Sequence, residues 1–147
     1  MELRDILQRV YLFRGVDGTD IDAVAAIAET QSYLAGTHMF DHDHAAAAAF
    51  FVVVMGTVEL RAQGKDLAVV TVGNGQTFGE LPFFRSDLRP AAAYARETTH
   101  VARIPYEPLE RLRAERPGLA VVFYRNAAGF FAQHLHQMGA EREQPYF

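Results

Sequence analysis

The 147-residue sequence predicts one mainly β domain in which helices flank a β-barrel or sandwich. Two observations support this class. The apolar residues recur at helical spacing at both ends of the chain, but between about residues 31 and 105 their period changes to two. No βαβ alternation interrupts that middle region, which makes a dinucleotide-binding fold improbable. The predicted division is a helical segment at 1–31, a β-barrel at 32–105 and C-terminal helices at 106–147.

The first segment predicts two helical pieces. An apolar stripe formed by Leu3, Ile6, Leu7 and Val10 marks the first piece. Thr19 is the predicted N-cap of the second piece, because a polar cap there precedes apolar residues at helical spacing. The stretch Gly15–Gly18 is the predicted hinge between them.

The middle segment predicts short strands. Apolar and polar residues alternate from Val58 to Gln63, which indicates a half-buried strand. Phe50–Met55 is a continuous apolar run, which is consistent with a strand buried on both faces. Glycines punctuate the segment at turn-like intervals, at Gly36, Gly56, Gly64, Gly73 and Gly75.

The last segment predicts a short helix at Tyr106–Glu115, a break at Arg116–Gly118, and a long helix from Leu119 to about Gly139. The apolar residues of the long helix cover more than one of its faces. A second apolar face predicts a partner, most simply another copy of the chain. The alternative is that the N-terminal helices cover both faces within one chain.

The composition of the chain excludes several classes of function and site. The net charge of −4 and the isoelectric point near 5.8 argue against broad contact with a phosphate backbone, so no nucleic-acid partner is expected. There is no cysteine, which excludes disulfides and thiolate metal sites. The N-terminus lacks a basic segment followed by an apolar one, and the longest apolar run, Ala45–Met55, is too short to span a membrane. A cytoplasmic protein without membrane association is the expectation.

The chemistry is concentrated between Gln76 and Arg96. A strand is predicted to end near Gly79, a single helical turn to run from Glu80 to Phe84, and a strand to resume near Ala91. A helix N-terminus and an arginine side chain both bind phosphate groups well, and a carboxylate accepts hydrogen bonds from sugar hydroxyls. Glu80, Arg89 and the start of this turn therefore predict a ribose-phosphate site.

At this point the sequence resembles the cyclic nucleotide-binding domains, which include the ligand domains of catabolite activator protein and of the protein kinase A regulatory subunit. Phe78-Gly79-Glu80-Leu81, with Arg89 nine residues after the glutamate, is similar to the phosphate-binding cassette of that family. Leu7–Phe13, Tyr33–Gly36, Phe40 and Phe50–Leu60 are similar to its N-terminal helical segment, first strands and central hairpin. The resemblance implies a double-stranded β-helix (jelly-roll) barrel with N-terminal helices and a long C-terminal hinge and lid helix.

The resemblance also implies a site. The counterpart of Glu80 holds the ribose 2′-hydroxyl, and that of Arg89 holds the cyclic phosphate. The implied ligand-binding residues are Gly79, Glu80, Leu81, Arg89, Pro90, Ala91, Ala92 and, on the lid helix, His134. Members that select cGMP often carry a hydroxyl at the position of Ala92, so cAMP is favoured. The cassette departs from the pattern at Pro82 and Pro90, since proline has no N–H to donate to the ligand.

Catalytic readings find little support. No serine lies in a nucleophile motif, so no enzyme activity and no cofactor are expected. His42 and His44 are weak metal candidates. Their spacing from Gly36 and Gly56 is similar to the first motif of metal-binding cupins, but the expected glutamate ligand is Ala49. A polar hairpin loop is the favoured reading of these histidines, and a cupin-like metal enzyme is the minor alternative.

The implied function is a stand-alone regulatory or sensor domain that binds a cyclic nucleotide and signals through a homodimer or a protein partner in trans. In bacterial transcription factors of this family a helix-turn-helix follows the lid helix, but here only about eight residues do, so no DNA-binding domain is expected. The alternative is a degenerate barrel that binds no nucleotide and serves as a dimerisation or docking module.

Overall fold

A computed structural model describes residues 2–41, 47–61, 70–85 and 91–141. The helices of these residues are α1 (Leu3–Arg9), a 3-10 helix (Tyr11–Phe13), α2 (Gly18–Ile27), α3 (Leu81–Phe84), α4 (Tyr106–Glu115) and α5 (Pro117–Glu141). The strands are β1 (Glu29–Tyr33), β2 (His38–Phe40), β3 (Ala49–Met55), β4 (Val58–Arg61), β5 (Val70–Val72), β6 (Thr77–Phe78), β7 (Ala92–Ala95) and β8 (Thr99–Pro105).

The strands within the described residues form two antiparallel four-stranded sheets. The order is β1-β8-β3-β6 in the first sheet and β2-β7-β4-β5 in the second. The chain passes repeatedly from one four-stranded sheet to the other, which is the arrangement of a jelly roll. The predicted fold class, a mainly β jelly roll with flanking helices and a long C-terminal helix, is confirmed.

Strand β3 separates two apolar cores, which explains why its sequence is apolar without alternation. Phe50 and Val52 belong to the core between the first sheet and the helices. Phe51 and Val53 belong to the core between the two sheets. Because successive side chains of a strand point to opposite faces, both faces of β3 are buried from Ala49 to Val53, as the apolar run predicted. At the end of the run the prediction is wrong, since Val54 is only partly buried and Met55 is 58% exposed.

The N-terminal segment differs from the prediction at two points. Helix α2 begins at Gly18, and the carboxylate of Asp17 accepts a hydrogen bond from the Gly18 N–H at 2.9 Å. The predicted cap at Thr19 is therefore wrong, because Asp17 supplies the side-chain acceptor at the helix start. Strand β1 begins at Glu29 inside the segment predicted to be helical, because its pairing with β8 starts there.

Helix α5 buries one apolar stripe and leaves other apolar side chains exposed. Leu119, Phe123 and Ala127 recur every four residues and are buried in the helical core. Val121, Leu135 and Met138 remain 55%, 46% and 39% exposed. None of the described helices is both long and apolar enough to cross a membrane.

Candidate functional site

The site is organised around a turn that only glycine fits well. Gly79 follows β6 and has a φ of +82°, a left-handed conformation that side chains with a Cβ disfavour. A Cβ at this position would lie 2.7 Å from the carbonyl oxygen of Ala49 in β3. The Tyr106 hydroxyl donates a hydrogen bond to the Gly79 carbonyl. The turn is thus held from two sides, and it sets the direction in which the next residue leaves the sheet.

That next residue, Glu80, is the N-cap residue of α3. Its Oε2 accepts a hydrogen bond from the Thr77 hydroxyl at 2.8 Å. Burial raises the pKa of Glu80, and the hydrogen bond from Thr77 partly opposes this. Burial also raises the pKa of Tyr11 and Tyr106, and the negative charge of Glu80 raises both further. Glu80 is therefore a carboxylate that is oriented by a hydrogen bond and whose ionised form is incompletely solvated.

Glu80 lies in the wall of a cavity of about 490 Å³ between β4–β6, α3 and α5. Its apolar lining includes Leu60, Val70, Val72, Phe130 and Phe131. Among the described residues only three polar side chains line it, and these are Thr77, Glu80 and His134. The cavity therefore offers one acidic end and one aromatic end to a ligand.

Helix α3 is joined to α5 by aromatic packing. The ring of Phe84 lies 5.7 Å from that of Phe123 and 5.6 Å from that of Phe131, measured between centroids. Phe83 lies 5.8 Å from Phe123 and 5.7 Å from Tyr106. The four-residue helix that begins beside Glu80 therefore ends against the long helix that closes the cavity.

The sequence and the fold are both similar to those of known proteins. A sequence profile described as the cyclic nucleotide-binding domain matches residues 30–116, which is more than half of the chain. The chain belongs to the cyclic nucleotide-binding domain family. No curated protein matched the sequence.

Solved structures agree on the fold. The N-terminal domain of a transcriptional regulator from Streptomyces coelicolor is 22% identical, with a TM-score of 0.75 over 91% of this chain and 95% of that one. Catabolite activator protein from Thermus thermophilus is 24% identical, with a TM-score of 0.70 over 90% of this chain and 62% of that one. The regulatory domain of Toxoplasma gondii protein kinase A, solved with cAMP, is 19% identical, with a TM-score of 0.66 over 85% and 48%.

Within this cyclic nucleotide-binding domain, most of the described candidate residues meet at the cavity. Gly79, Glu80, Leu81, Ala91 and His134 all line it. Ala92 does not. It is buried in β7, where it pairs with Arg61 of β4. The candidates Arg89 and Pro90 lie outside the described residues, as do the weak metal candidates His42 and His44.

Pro82, predicted to deprive the ligand of an amide, occupies the first turn of α3 and also lines the cavity. Proline is tolerated there because a first-turn N–H has no partner within the helix. In the part of the chain that the structure describes, no group of three His, Asp or Glu side chains is placed to hold a metal ion.

Sequence reasoning missed the residues that shape the site around Glu80. Thr77 orients the carboxylate, and Phe130 forms the aromatic end of the cavity. The sequence contained a pattern that could have identified Thr77 and Phe130. Thr77 lies three residues before Glu80, where a strand is predicted to end. Phe130 precedes His134 by four residues, and this spacing places Phe130 and His134 on one face of a helix.

Proposed function

We propose that this chain is a regulatory domain that binds a cyclic nucleotide, with cAMP favoured, in the cavity between β4–β6, α3 and α5. The observation that carries the proposal is the carboxylate of Glu80, which is oriented by Thr77 in the wall of a 490 Å³ cavity. A nucleotide complements such a cavity, because its sugar is polar and its base presents an aromatic face.

Each end of the cavity has a proposed role. Glu80 accepts a hydrogen bond from the ribose 2′-hydroxyl, which replaces part of the solvation that burial removes from the carboxylate. Arg89, predicted from the sequence alone, pairs with the cyclic phosphate. The base lies between β5 and α5, against Phe130 and His134.

The preference for cAMP rests on polarity. The Thr77 hydroxyl already donates to Glu80, so His134 is the polar side chain left for the base among the described lining residues. Guanine carries more polar groups on its edge than adenine, and each one that is buried without a partner weakens binding. The lack of a hydroxyl at Ala92 supports cAMP less directly, since that side chain lies outside the cavity lining.

The proposed output is through α5. The exposed apolar residues of α5 lie on both sides of the residues that line the cavity, because Val121 precedes Phe130 in the chain whereas Leu135 and Met138 follow His134. Apolar side chains left exposed on one helix favour contact with a second copy of the chain or with a protein partner. Binding would change this surface only insofar as the ligand has different affinities for the two arrangements of the helix.

The test is calorimetric titration of the purified protein with cAMP and with cGMP, after removal of any co-purified nucleotide. We expect saturable binding that is tighter for cAMP. We expect Glu80→Gln to weaken it roughly tenfold or more, because the variant loses a charged acceptor. Glu115→Gln is the matched control, since Glu115 is an exposed carboxylate on α4 that lines no part of the cavity.

The outcomes separate the proposal from its alternative. Loss of binding in Arg89→Ala would support the phosphate role of Arg89. Absence of both measurable binding and co-purified nucleotide in the parent protein would refute the proposal and favour the degenerate docking module.

A further inference from the structure

A second cavity adjoins the proposed nucleotide pocket. It has a volume of about 440 Å³ and shares Val70, Val72, Thr77, Phe130 and His134 with that pocket. From these shared walls it extends to Arg9 at the end of α1, to Arg14 in the segment that joins α1 to α2, and to Gln76 before β6. Glu80 does not line it. The two cavities therefore meet at the Phe130 and His134 side chains but differ in their outer ends.

The second cavity is positively charged, although the whole chain carries a net charge of −4. Arg9 and Arg14 both line it, and no aspartate or glutamate does so in the described parts of the chain. Neither arginine forms an ion pair with another described residue. Two guanidinium groups beside one concave surface favour an anion, because each presents a planar fork of N–H donors.

The segment that carries Arg14 is held against α5. The Asn126 side-chain amide donates to the carbonyls of Leu12 and Arg14, both at 2.9 Å. The ring of Tyr11 stacks on that of Phe130, with centroids 4.2 Å apart and planes inclined by 25°. The position of the Arg14 backbone relative to the cavity is thus set by contacts with the same helix that lines it.

Two further polar groups lie at this cavity. Gln76 Oε1 accepts a hydrogen bond from the Gly73 N–H at 2.8 Å, which leaves the amide NH₂ group as the donor available to a ligand. The Tyr11 hydroxyl is shielded from solvent and has no hydrogen-bond partner among the described residues. A lining that combines cationic side chains with an oriented amide donor is suited to oxygen anions.

We propose that this second cavity is a subsite for a phosphate-type oxyanion, held by Arg9, Arg14 and the Gln76 amide. Two sources share this chemistry. The anion is either a free oxyanion that binds beside the nucleotide, or a second phosphate on one longer ligand that passes Phe130 and His134. The subsite itself goes beyond the proposed function and does not require it, whereas the choice between the two sources rests on nucleotide binding in the first pocket.

The direct test uses inorganic pyrophosphate as the probe, titrated into the nucleotide-free protein at constant ionic strength. We expect a saturable isotherm for the parent. We expect Arg9→Gln and Arg14→Gln each to weaken binding several-fold, and the double variant to weaken it roughly tenfold or more. Arg125→Gln is the matched control, because Arg125 is an exposed arginine on α5 that lines neither cavity. Circular dichroism checks that each variant keeps the fold.

Absence of binding in the parent, or equal affinity in the parent and the double variant, would overturn the subsite. A second titration then identifies the source. If the oxyanion is separate, cAMP and pyrophosphate bind together. If it belongs to one ligand, the linear dinucleotide pApA binds more tightly than cAMP and loses that advantage in the double variant. A protein that takes pyrophosphate through Arg9 and Arg14 but takes no cAMP would support the subsite and refute the proposed function.

Discussion

Substitution of Gly79 by alanine tests whether the turn positions the site. The residue has a φ of +82°, and its added Cβ would lie 2.7 Å from the Ala49 carbonyl oxygen. The left-handed backbone costs an L-residue about 1–2 kcal/mol. Ala49 cannot retreat easily, because β3 is paired with β8 at this point. The turn must move instead, which breaks the hydrogen bond from Tyr106 at a further cost of about 1 kcal/mol.

The expected loss in the free energy of unfolding is therefore about 2–3 kcal/mol. A domain of this size loses about 2–4 °C of melting temperature per kcal/mol, so thermal unfolding should show a decrease of about 4–12 °C. Gly36→Ala is the matched control. Gly36 has the same φ of +82°, but nothing lies within 4 Å of its added Cβ. The Gly36→Ala variant should lose only the free energy of unfolding that the left-handed backbone costs, about 1–2 kcal/mol.

The same pair of variants separates stability from binding. Movement of the turn displaces the Glu80 carboxylate from Thr77, so we expect the Gly79 variant to lose nucleotide affinity roughly tenfold or more, while the Gly36 variant keeps it. Equal melting temperatures for the two variants would refute the role of the Ala49 contact. Unchanged affinity in a destabilised Gly79→Ala protein would refute the role of the turn in placing Glu80.

Three further predictions concern Glu80, Phe84 and Leu135. Because burial raises the pKa of Glu80, its ionisation destabilises the folded state. The contribution of Glu80 to stability is fully present below the ordinary glutamate pKa and is lost as the pH rises through the raised value. Glu80→Gln should therefore be more stable than the parent near pH 8 and lose this advantage towards pH 4, as measured by urea unfolding, and a pH-independent difference would contradict this. Phe84→Ala should cost about 2–4 kcal/mol and remove any nucleotide-induced change in hydrogen exchange along α5, whereas a change equal to that of the parent would argue against coupling through Phe84. Leu135→Glu should convert the proposed dimer to a monomer in analytical ultracentrifugation, and a parent that sediments as a monomer would remove the dimer proposal.

Elements dominated by local pattern were predictable from the sequence. The apolar run at 50–55 predicted a strand buried on both faces, and β3 separates two cores. Helix α4 has the predicted bounds Tyr106–Glu115. The single turn predicted after Gly79 corresponds to α3, because the glycine and the following short apolar stretch define it locally.

Features that depend on distant contacts were not predictable. The start of β1 at Glu29 is set by pairing with Arg103 of β8, which no local pattern records. The cavity that Glu80 lines also includes Phe130 and His134 of α5, about fifty positions later in the chain. The stacking of Tyr11 on Phe130 joins residues more than a hundred positions apart. The apolar stripes of α5 were visible in the sequence, but which of them is covered is decided by the tertiary packing of Leu119 and Phe123.

The arrangement of α3 suggests how a ligand at Glu80 would reach the rest of the domain. The helix has only four residues, so its first and last residues are separated by a single turn. Its start is beside Glu80, and at its end Phe84 packs on Phe123 and Phe131 of α5. Helix α5 also contributes Phe130 and His134 to the same cavity. A bound nucleotide would therefore act on α5 directly at the base and indirectly through α3. Because both contacts act on one helix, a modest difference in affinity at each would add in shifting its position.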